Sequence, residues 1–569
     1  MAAPMSWRRL VYSVYSPAIA GVFSRISDRV FRARDRRRGS SSRTLKYQPT
    51  LSGVPSDRRA SLSWSSVLLL APLLAEADPA PRHVSRPTGS AGAQGTDGLC
   101  SHFRWMAEHV PAFRVPGTHI HILTSPDQFY QTMKARIKTA KRRVVMASLY
   151  LGTGQLEQEL VDCMEEALQR SQENSNAPDL KVSILLDYTR GSRGQVNSRT
   201  MLLPLLQRFT SQMRVSLYHT PDLRGLLRLL VPQRFNETIG VQHIKVYLFD
   251  DSIIISGANL SDSYFSNRQD RYVLLENCSE VADFFSDLVE AVGDVSLQLQ
   301  PNDSVTMLEG MVHPYKGNRQ DFSVAARKRI MEVVNTAHVR QRLLNGSEFS
   351  EDEGMSEGEE DTWVFPLVQM KPLGIQVDEQ VTQRLLTDAG PGSTVFLTSG
   401  YFNLTRAYMR LVLGAGASYR ILTASPEVNG FFGAKGVAGA IPAAYIHIAR
   451  QFYNQVCRLG QQERVHLHEY HRSQWTFHAK GLWYYLQGQD RPCLTLIGSP
   501  NFGYRSVHRD LEAQIAIVTE NEELQSQLQE EQEMLYKRST EVSDSTFEQP
   551  DRHVKLWVKL VTPLIKNFF

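Results

Sequence analysis

One pattern, written twice, constrains what this chain can fold into. The stretch Val241-Gln242-His243-Ile244-Lys245-Val246-Tyr247-Leu248-Phe249-Asp250 is answered further on by Phe477-His478-Ala479-Lys480-Gly481-Leu482-Trp483. Side chains alternate along a strand, so His243 and Lys245 share one face, as do His478 and Lys480. A single His-x-Lys carries little information. Here each is followed by a small-residue turn, Ser256-Gly257-Ala258-Asn259 and Gly498-Ser499-Pro500-Asn501. From each Asn the chain then runs the same number of residues to an acid, Asp270 in one case and Glu512 in the other. His, Lys, turn, Asn and acid in one order and at matched spacing mark an internal duplication.

The duplication extends upstream. Arg214-Val215-Ser216-Leu217-Tyr218 corresponds to Arg464-Val465-His466-Leu467-His468, and the apolar run Val182–Asp187 to Tyr419–Thr423. Val144–Leu151 likewise matches Thr394–Phe402, and each is followed by a helix-like pattern such as Leu156–Cys163. Strands and helices alternate, so the chain reads as α/β, with two duplicated halves and the active site at their interface. The expected boundaries are 1–98 for a leader and linker, 99–343 for the first half, 344–362 for an acidic loop and 363–569 for the second half. The two motifs then occupy 243–250 and 478–485.

If both motifs meet in one cleft, it holds two imidazoles, two ammoniums and two amides. Such a set suits a tetrahedral anion, a phosphate. Lys245 and Lys480 would neutralise its oxygens, and Asn259 and Asn501 would donate hydrogen bonds where charge grows. Asp270 and Glu512 each open an apolar strand at the matched position.

The doubled His-x-Lys motif with its following Asn resembles the phospholipase D superfamily. The second copy, FHAKGLWYYL followed by LIGSPNFGYRSVHRDLEAQIAIVTE, is similar to the mitochondrial phosphatidylglycerophosphate synthase family. The resemblance covers roughly residues 100 to 569 and implies transfer of a phosphatidyl group from CDP-diacylglycerol to glycerol 3-phosphate, with CMP released. It implies a phosphohistidine intermediate, with His243 as nucleophile, His478 as acid and base, and Asp270 and Glu512 as the carboxylates that each hold an imidazole in one tautomer and orientation. Another phosphatidyltransferase or a phospholipase of the superfamily would keep the same residues and change the acceptor. In the first motif the family's acid is Asp250, expected to brace a turn; in the second its place is taken by Tyr485. Arg505, His508 and Arg509 are candidates for the acceptor's own phosphate, since Arg recognises phosphate bidentately. Gly152 and Gly154 stand in a strand-to-helix turn that can present amides to a phosphate. No cofactor or metal is expected, with divalent cations stimulating by screening anionic phosphates.

Partners follow from the rest of the chain. The 569 residues carry a net charge of +4, but residues 1–60 alone hold 13 Arg and Lys against Asp28, Asp35 and Asp57. Leu10, Val11, Val14, Tyr15, Ile19, Val22, Phe23, Ile26 and Val30 fall there at helical spacing, the pattern of a mitochondrial transit peptide. The apolar run Val67–Ala75 is too short to span a bilayer, and residues 78–98 read as a linker. With the basic surplus confined to the leader, no nucleic-acid partner is expected. A peripheral position on the matrix side of the inner mitochondrial membrane is. Two segments suit lipid contact or plain packing equally: the Gly-rich apolar loop 430–442, and the C-terminal 554–569 with Lys555, Lys559 and Lys566 beside Trp557 and Phe568. Cys100, Cys163, Cys278, Cys457 and Cys493 lack zinc-site spacing and read as buried thiols of a reducing compartment.

Overall fold

The computed structural model describes residues 99–173, 179–346, 360–433 and 439–568. The leader and linker, residues 347–359 of the acidic loop and residues 434–438 of the Gly-rich loop lie outside the described residues.

Two large sheets repeat one another strand for strand. The first runs in space Leu297–Leu299, Met213–Tyr218, Lys181–Asp187, Arg143–Ala147, Val246–Phe249, Ser252–Ser256, Tyr272–Leu275, Ile120–Leu123, with Val305–Thr306 on the outer edge. The second runs Ser539–Glu541, Val465–Tyr470, Ser418–Ala424, Thr394–Ser399, Lys480–Tyr485, Leu494–Gly498, Glu512–Thr519, Thr362–Met370, with Phe113–Val115 beyond. In each, a parallel trio is continued by an antiparallel hairpin and meander. The parallel strands need crossover helices, and the amphipathic Gln155–Glu173 and Arg406–Gly414 supply the first of these in each half.

The inner faces of the two sheets share one core. Val246, Leu248, Ile253 and Ile255 of the first meet Trp483, Ile497, Ile515 and Ile517 of the second in a single apolar cluster, together with the helices Ser279–Asp294 and Glu522–Tyr536. Sheet membership departs from the boundary expected at residue 99. Phe113–Val115 pairs with Thr362–Val364 of the second sheet, and Phe103 and Met106 pack in the second half's own core. The acidic segment is also shorter than 344–362, because the helix Arg319–Gly346 and the strand from Thr362 take its two ends.

The clamp between the halves is polar as well as apolar. Arg271, 1% exposed, leaves the first sheet and enters the second. Its guanidinium donates to Glu531 Oε1 at 2.9 Å and Oε2 at 2.7 Å, to the Leu496 carbonyl at 2.8 Å and to Thr495 at 2.8 Å. It also lies 3.8 Å from the centre of the Trp483 ring, whose indole N–H donates to the same Glu531. Gly481 makes room for it: at φ 123 a Cβ there would stand 2.6 Å from the Arg271 Nη1 and closer still to the Leu496 carbonyl.

Of the cysteines whose side chains are described, Cys163, Cys278 and Cys493 are buried, Cys457 is half-buried, and all four are unpaired. Burial pushes the thiols of Cys278 and Cys493 up to about 12, which makes them inert.

Candidate active site

Neither histidine lies within a strand of the main sheets. The strand after His243 begins at Val246, and the strand after His478 begins at Lys480. Just before each, the chain pairs with the opposite half. Gln242 bridges Leu511, so that the His243 N–H donates to the Leu511 carbonyl at 2.8 Å. Thr476–Phe477 pairs with Arg268–Gln269, and the His478 N–H donates to the Gln269 carbonyl at 2.8 Å. Each histidine thus sits at a joint where one half crosses onto the residue preceding the other half's acid.

The acids are consequently exchanged. His243 Nδ1 stands 2.8 Å from Glu512 Oε2, and His478 Nδ1 stands 2.6 Å from Asp270 Oδ2. Each carboxylate accepts the Nδ1–H of the imidazole from the other half and leaves Nε2 as a lone pair, the tautomer being set by this bonding. Burial lowers the basicity of His243 against the pull of Glu512. Burial, reinforced by Lys480, holds His478 well below the ordinary histidine range. Both are neutral at pH 7. Burial alone would raise Glu512, but His243, Lys245 and the Ser499 hydroxyl hold its carboxyl down to about 2. Burial pushes Asp270 up, against the ammonium of Lys480 at 3.7 Å.

A cavity of about 480 Å³ opens in front of the two rings. His243, His478, Asn259 and Asn501 line it, as does Arg505. The Asn259 and Asn501 amides each keep an oxygen that is buried and unpartnered among the described residues. Lys245 and Lys480 stand behind the wall, buried, and donate to the carbonyls of their own motif histidines at 2.6 and 2.8 Å. Burial lowers Lys245 to about 7 and lowers Lys480 as well. Gly257 packs against the second pair: a Cβ would stand 2.6 Å from Asp270 Oδ1 and 2.8 Å from Lys480 Nζ.

Several expected site residues lie elsewhere. Asp250, at φ 53, accepts the backbone N–H groups of Lys141, Arg142 and Arg143 in an exposed turn, so it braces the hairpin away from the cavity. Gly152 and Gly154 face the Glu157 carboxylate, the Gly152 N–H is already spent on the Leu260 carbonyl at 2.7 Å, and neither glycine lines the cavity. His508 packs at a tilt against the Tyr504 ring, and burial lowers it to about 3, leaving it uncharged. Arg509 donates to the Thr238 carbonyl at 2.8 Å and covers the Phe568 ring at 4.4 Å. It supports the wall from behind. Tyr485, in place of a second acid, is buried and donates to Gln532 at 3.0 Å.

The structure adds residues that the repeat did not point to. Arg268 lines the cavity, donates to Thr476 at 3.0 Å, and lies over the Tyr264 ring at 4.5 Å, with no carboxylate partner among the described residues. Its counterpart, two residues before the other acid, is Asp510, which pairs with Arg505 at 3.1 Å. A charge reversal at matched positions was the available signal. Tyr150, Tyr264, Tyr401 and Tyr445 complete an aromatic wall, with Tyr264 reaching toward His478 Nε2 at 3.4 Å. Phe431 and Phe568 bring the Gly-rich loop and the C-terminus to the same cavity.

No family model matches the chain. Curated relatives do. It is 60% identical to the protein named CDP-diacylglycerol–glycerol-3-phosphate 3-phosphatidyltransferase, mitochondrial, of Homo sapiens, and equally to that of Mus musculus, over 100% of this chain and 99% of each relative. The Saccharomyces cerevisiae protein named for the same activity is 34% identical over 80% of this chain and 88% of its own length. Among solved structures, phosphatidylserine synthase of Haemophilus influenzae superposes with a TM-score of 0.60 at 19% identity, over 83% of this chain and all of that one, a likeness of fold. With the duplicated sheets, the exchanged acids and identity along the full length all in agreement, this chain belongs to the CDP-diacylglycerol–glycerol-3-phosphate 3-phosphatidyltransferase family.

Proposed function

We propose that this protein transfers the phosphatidyl group of CDP-diacylglycerol to glycerol 3-phosphate, giving phosphatidylglycerophosphate and CMP on the route to phosphatidylglycerol and cardiolipin. The observation that carries the reading is the facing pair of neutral imidazoles, each oriented by a buried acid of the opposite half, in a family whose relatives are named for this reaction. His243 Nε2 attacks phosphorus, the bond to the CMP oxygen breaks, and a phosphatidyl-histidine forms. The glycerol 3-phosphate hydroxyl then attacks the same phosphorus, its proton passing to His478 Nε2 as the nitrogen–phosphorus bond breaks. Lys245 and Lys480 supply positive charge just behind the reacting phosphate, and the Asn259 and Asn501 amides hydrogen-bond its oxygens. Arg505 and Arg268 are the wall cations in reach of the acceptor's phosphate or the donor's pyrophosphate.

With its charge supplied by side chains, catalysis needs no resident metal, and divalent ions act by screening anionic substrates. A soluble short-chain donor should therefore turn over in excess chelator; complete loss, restored by one metal only, would contradict this. The protein works peripherally on the matrix side of the inner mitochondrial membrane. In support, its relatives are named mitochondrial, no helix among the described residues is long and apolar enough to cross a membrane, and Leu556, Trp557 and Leu560 are exposed beside Lys559. The decisive assay offers radiolabelled CDP-diacylglycerol with glycerol 3-phosphate, serine, phosphatidylglycerol or water and separates the products by thin-layer chromatography. Turnover with glycerol 3-phosphate alone supports the reading, and preference for another acceptor rejects it.

A further inference from the structure

A second cavity, also of about 480 Å³, lies beside the reaction cavity but is lined by a different set of side chains. Ser192, Arg199, His219, Arg228, Leu229 and Asn236 are on its wall, and no carboxylate is. Three of these present polar atoms that are buried and have no hydrogen-bond partner among the described residues: the Ser192 hydroxyl, Arg199 Nε and the Asn236 amide oxygen. Arg199 spends its Nη2 on Asp303 at 2.6 Å, and its Nε is left unpartnered among the described residues. Arg228 lies over the Tyr315 ring at 4.1 Å and is in no ion pair among the described residues. Burial lowers His219 to about 4, so the ring is neutral, with Nδ1 donating to the Thr220 carbonyl at 2.8 Å. Donors from separate segments, two of them guanidinium groups, thus face one polar hollow. Unsatisfied buried polar groups are costly, and a phosphate would accept from the Ser192 hydroxyl and Arg199 Nε–H at once, while the Asn236 oxygen, itself an acceptor, takes no part in holding it.

The rim has the opposite character. The short helix Gly225–Leu230, which contributes Arg228 and Leu229 to the wall, exposes Leu226, Leu229 and Leu230 at 75%, 79% and 61%. It contains no acid. Downstream, Phe235 and Thr238 line the reaction cavity, so the segment that carries this apolar rim runs on into the wall of the reaction cavity. A hollow rich in anion-binding donors beneath a projecting leucine ridge matches one ligand chemistry, a phosphate carrying acyl chains.

We propose that this cavity seats the headgroup phosphate of an anionic phospholipid, whose acyl chains lie along Leu226, Leu229 and Leu230. The inference rests on the lipid-surface part of the reading above and is independent of the transfer chemistry. It is tested by flotation of the full chain with vesicles of phosphatidylcholine alone and of phosphatidylcholine mixed with phosphatidylglycerol. A basic residue merely near an anionic surface is worth about fivefold in binding. Arg228→Gln should lose at least that much on the mixed vesicles and nothing on the neutral ones. Ser192→Ala changes no charge, so a diffuse attraction would not register it, whereas a seated headgroup predicts a several-fold loss on mixed vesicles only. Leu226→Ser with Leu229→Ser should weaken both. Wild-type binding of mixed vesicles by Ser192→Ala overturns the proposal. So does a thermal shift of the wild type by inorganic phosphate, abolished in Arg228→Gln, while vesicle binding ignores every variant; the site would then take free phosphate. Because the readout is binding, its failure leaves the transfer reading standing, and a failed transfer assay leaves this readout intact.

Discussion

His243 and His478 occupy equivalent joints, yet their surroundings differ. Glu512 is held ionised by His243, Lys245 and the Ser499 hydroxyl, whereas Asp270 has Gly257 in place of that serine and Lys480 at 3.7 Å. His478, held well below the ordinary histidine range, carries no proton to give at pH 7, and the first step asks little of an acid: CMP departs as a phosphate monoester with a second pKa of about 6, against about 15.7 for water, which an alcohol resembles. The second step must deprotonate that alcohol, and losing the base costs roughly two to four orders of magnitude. His478→Asn should therefore release about one CMP per enzyme and stall with a phosphatidyl group on His243, while His243→Asn releases none. Rapid-quench assay of CMP with mass spectrometry of the enzyme checks this, and a burst from His243→Asn alone would reverse the roles. Lys245 gives a pH signature. Burial sets its folded pKa at about 7, below the unfolded value of 10.5. Between those values the unfolded chain holds a proton that the folded one lacks, so Lys245 makes stability rise with pH from about 7 to 10.5 and has no effect below. The neutralising form is the protonated one, so kcat/KM for CMP release should fall as pH rises through about 7. Lys245→Met should abolish this limb and lower the acidic plateau by about 10²–10³.

At the scale of elements, the repeat was legible because strands carry their pattern locally. The matched runs and equal Asn-to-acid spacing map onto two sheets with the same strand order. Exchange of the acids was not legible, because pairing between Gln242 and Leu511 or between Phe477 and Gln269 joins residues more than 200 positions apart, and no local pattern encodes the partner. The glycine turn at Gly152 misled for a related reason: a strand-to-helix turn looks the same whether its amides face a ligand or a neighbouring loop, and here Leu260 and Glu157 claim it. The C-terminal segment packs on the core, as one of its readings expected. Helix Leu556–Ile565 continues through Pro563, burying Val558 and Thr562 on the core and exposing Leu556, Trp557 and Leu560. Gly257, seen in the sequence only as part of a small-residue turn, is packed directly against Asp270 and Lys480. Gly257→Ala should move Asp270 and Lys480, costing stability by about 1–3 kcal/mol while lowering kcat more than it raises KM. A KM effect alone would show that the Asp270 and Lys480 pair is not used in turnover.

At the scale of the molecule, a site made by two halves is only as well defined as their docking. His243 and Glu512, and His478 and Asp270, meet across that boundary, so a small relative shift would separate both pairs at once. The apolar core between the sheets resists separation but has no direction, because hydrophobic burial scales with area. Arg271 supplies direction. It follows Asp270 immediately in the chain, and its hydrogen bonds to Glu531, Leu496 and Thr495 fix where the first half's acid stands relative to the second half's strand. Taking this buried pair apart is expensive: removing one partner strands the other's charge, at about 3–5 kcal/mol. Replacing both with apolar groups of similar volume is nearly neutral in stability, but it surrenders the directional bonds. The two kinds of variant therefore separate stability from alignment. Arg271→Ala should lower the urea midpoint by an amount equivalent to about 3–5 kcal/mol. Arg271→Met with Glu531→Leu should restore most of the midpoint while keeping kcat depressed, since the acid's register on His478 is no longer fixed. Full recovery of kcat along with stability would mean that the core alone aligns the site.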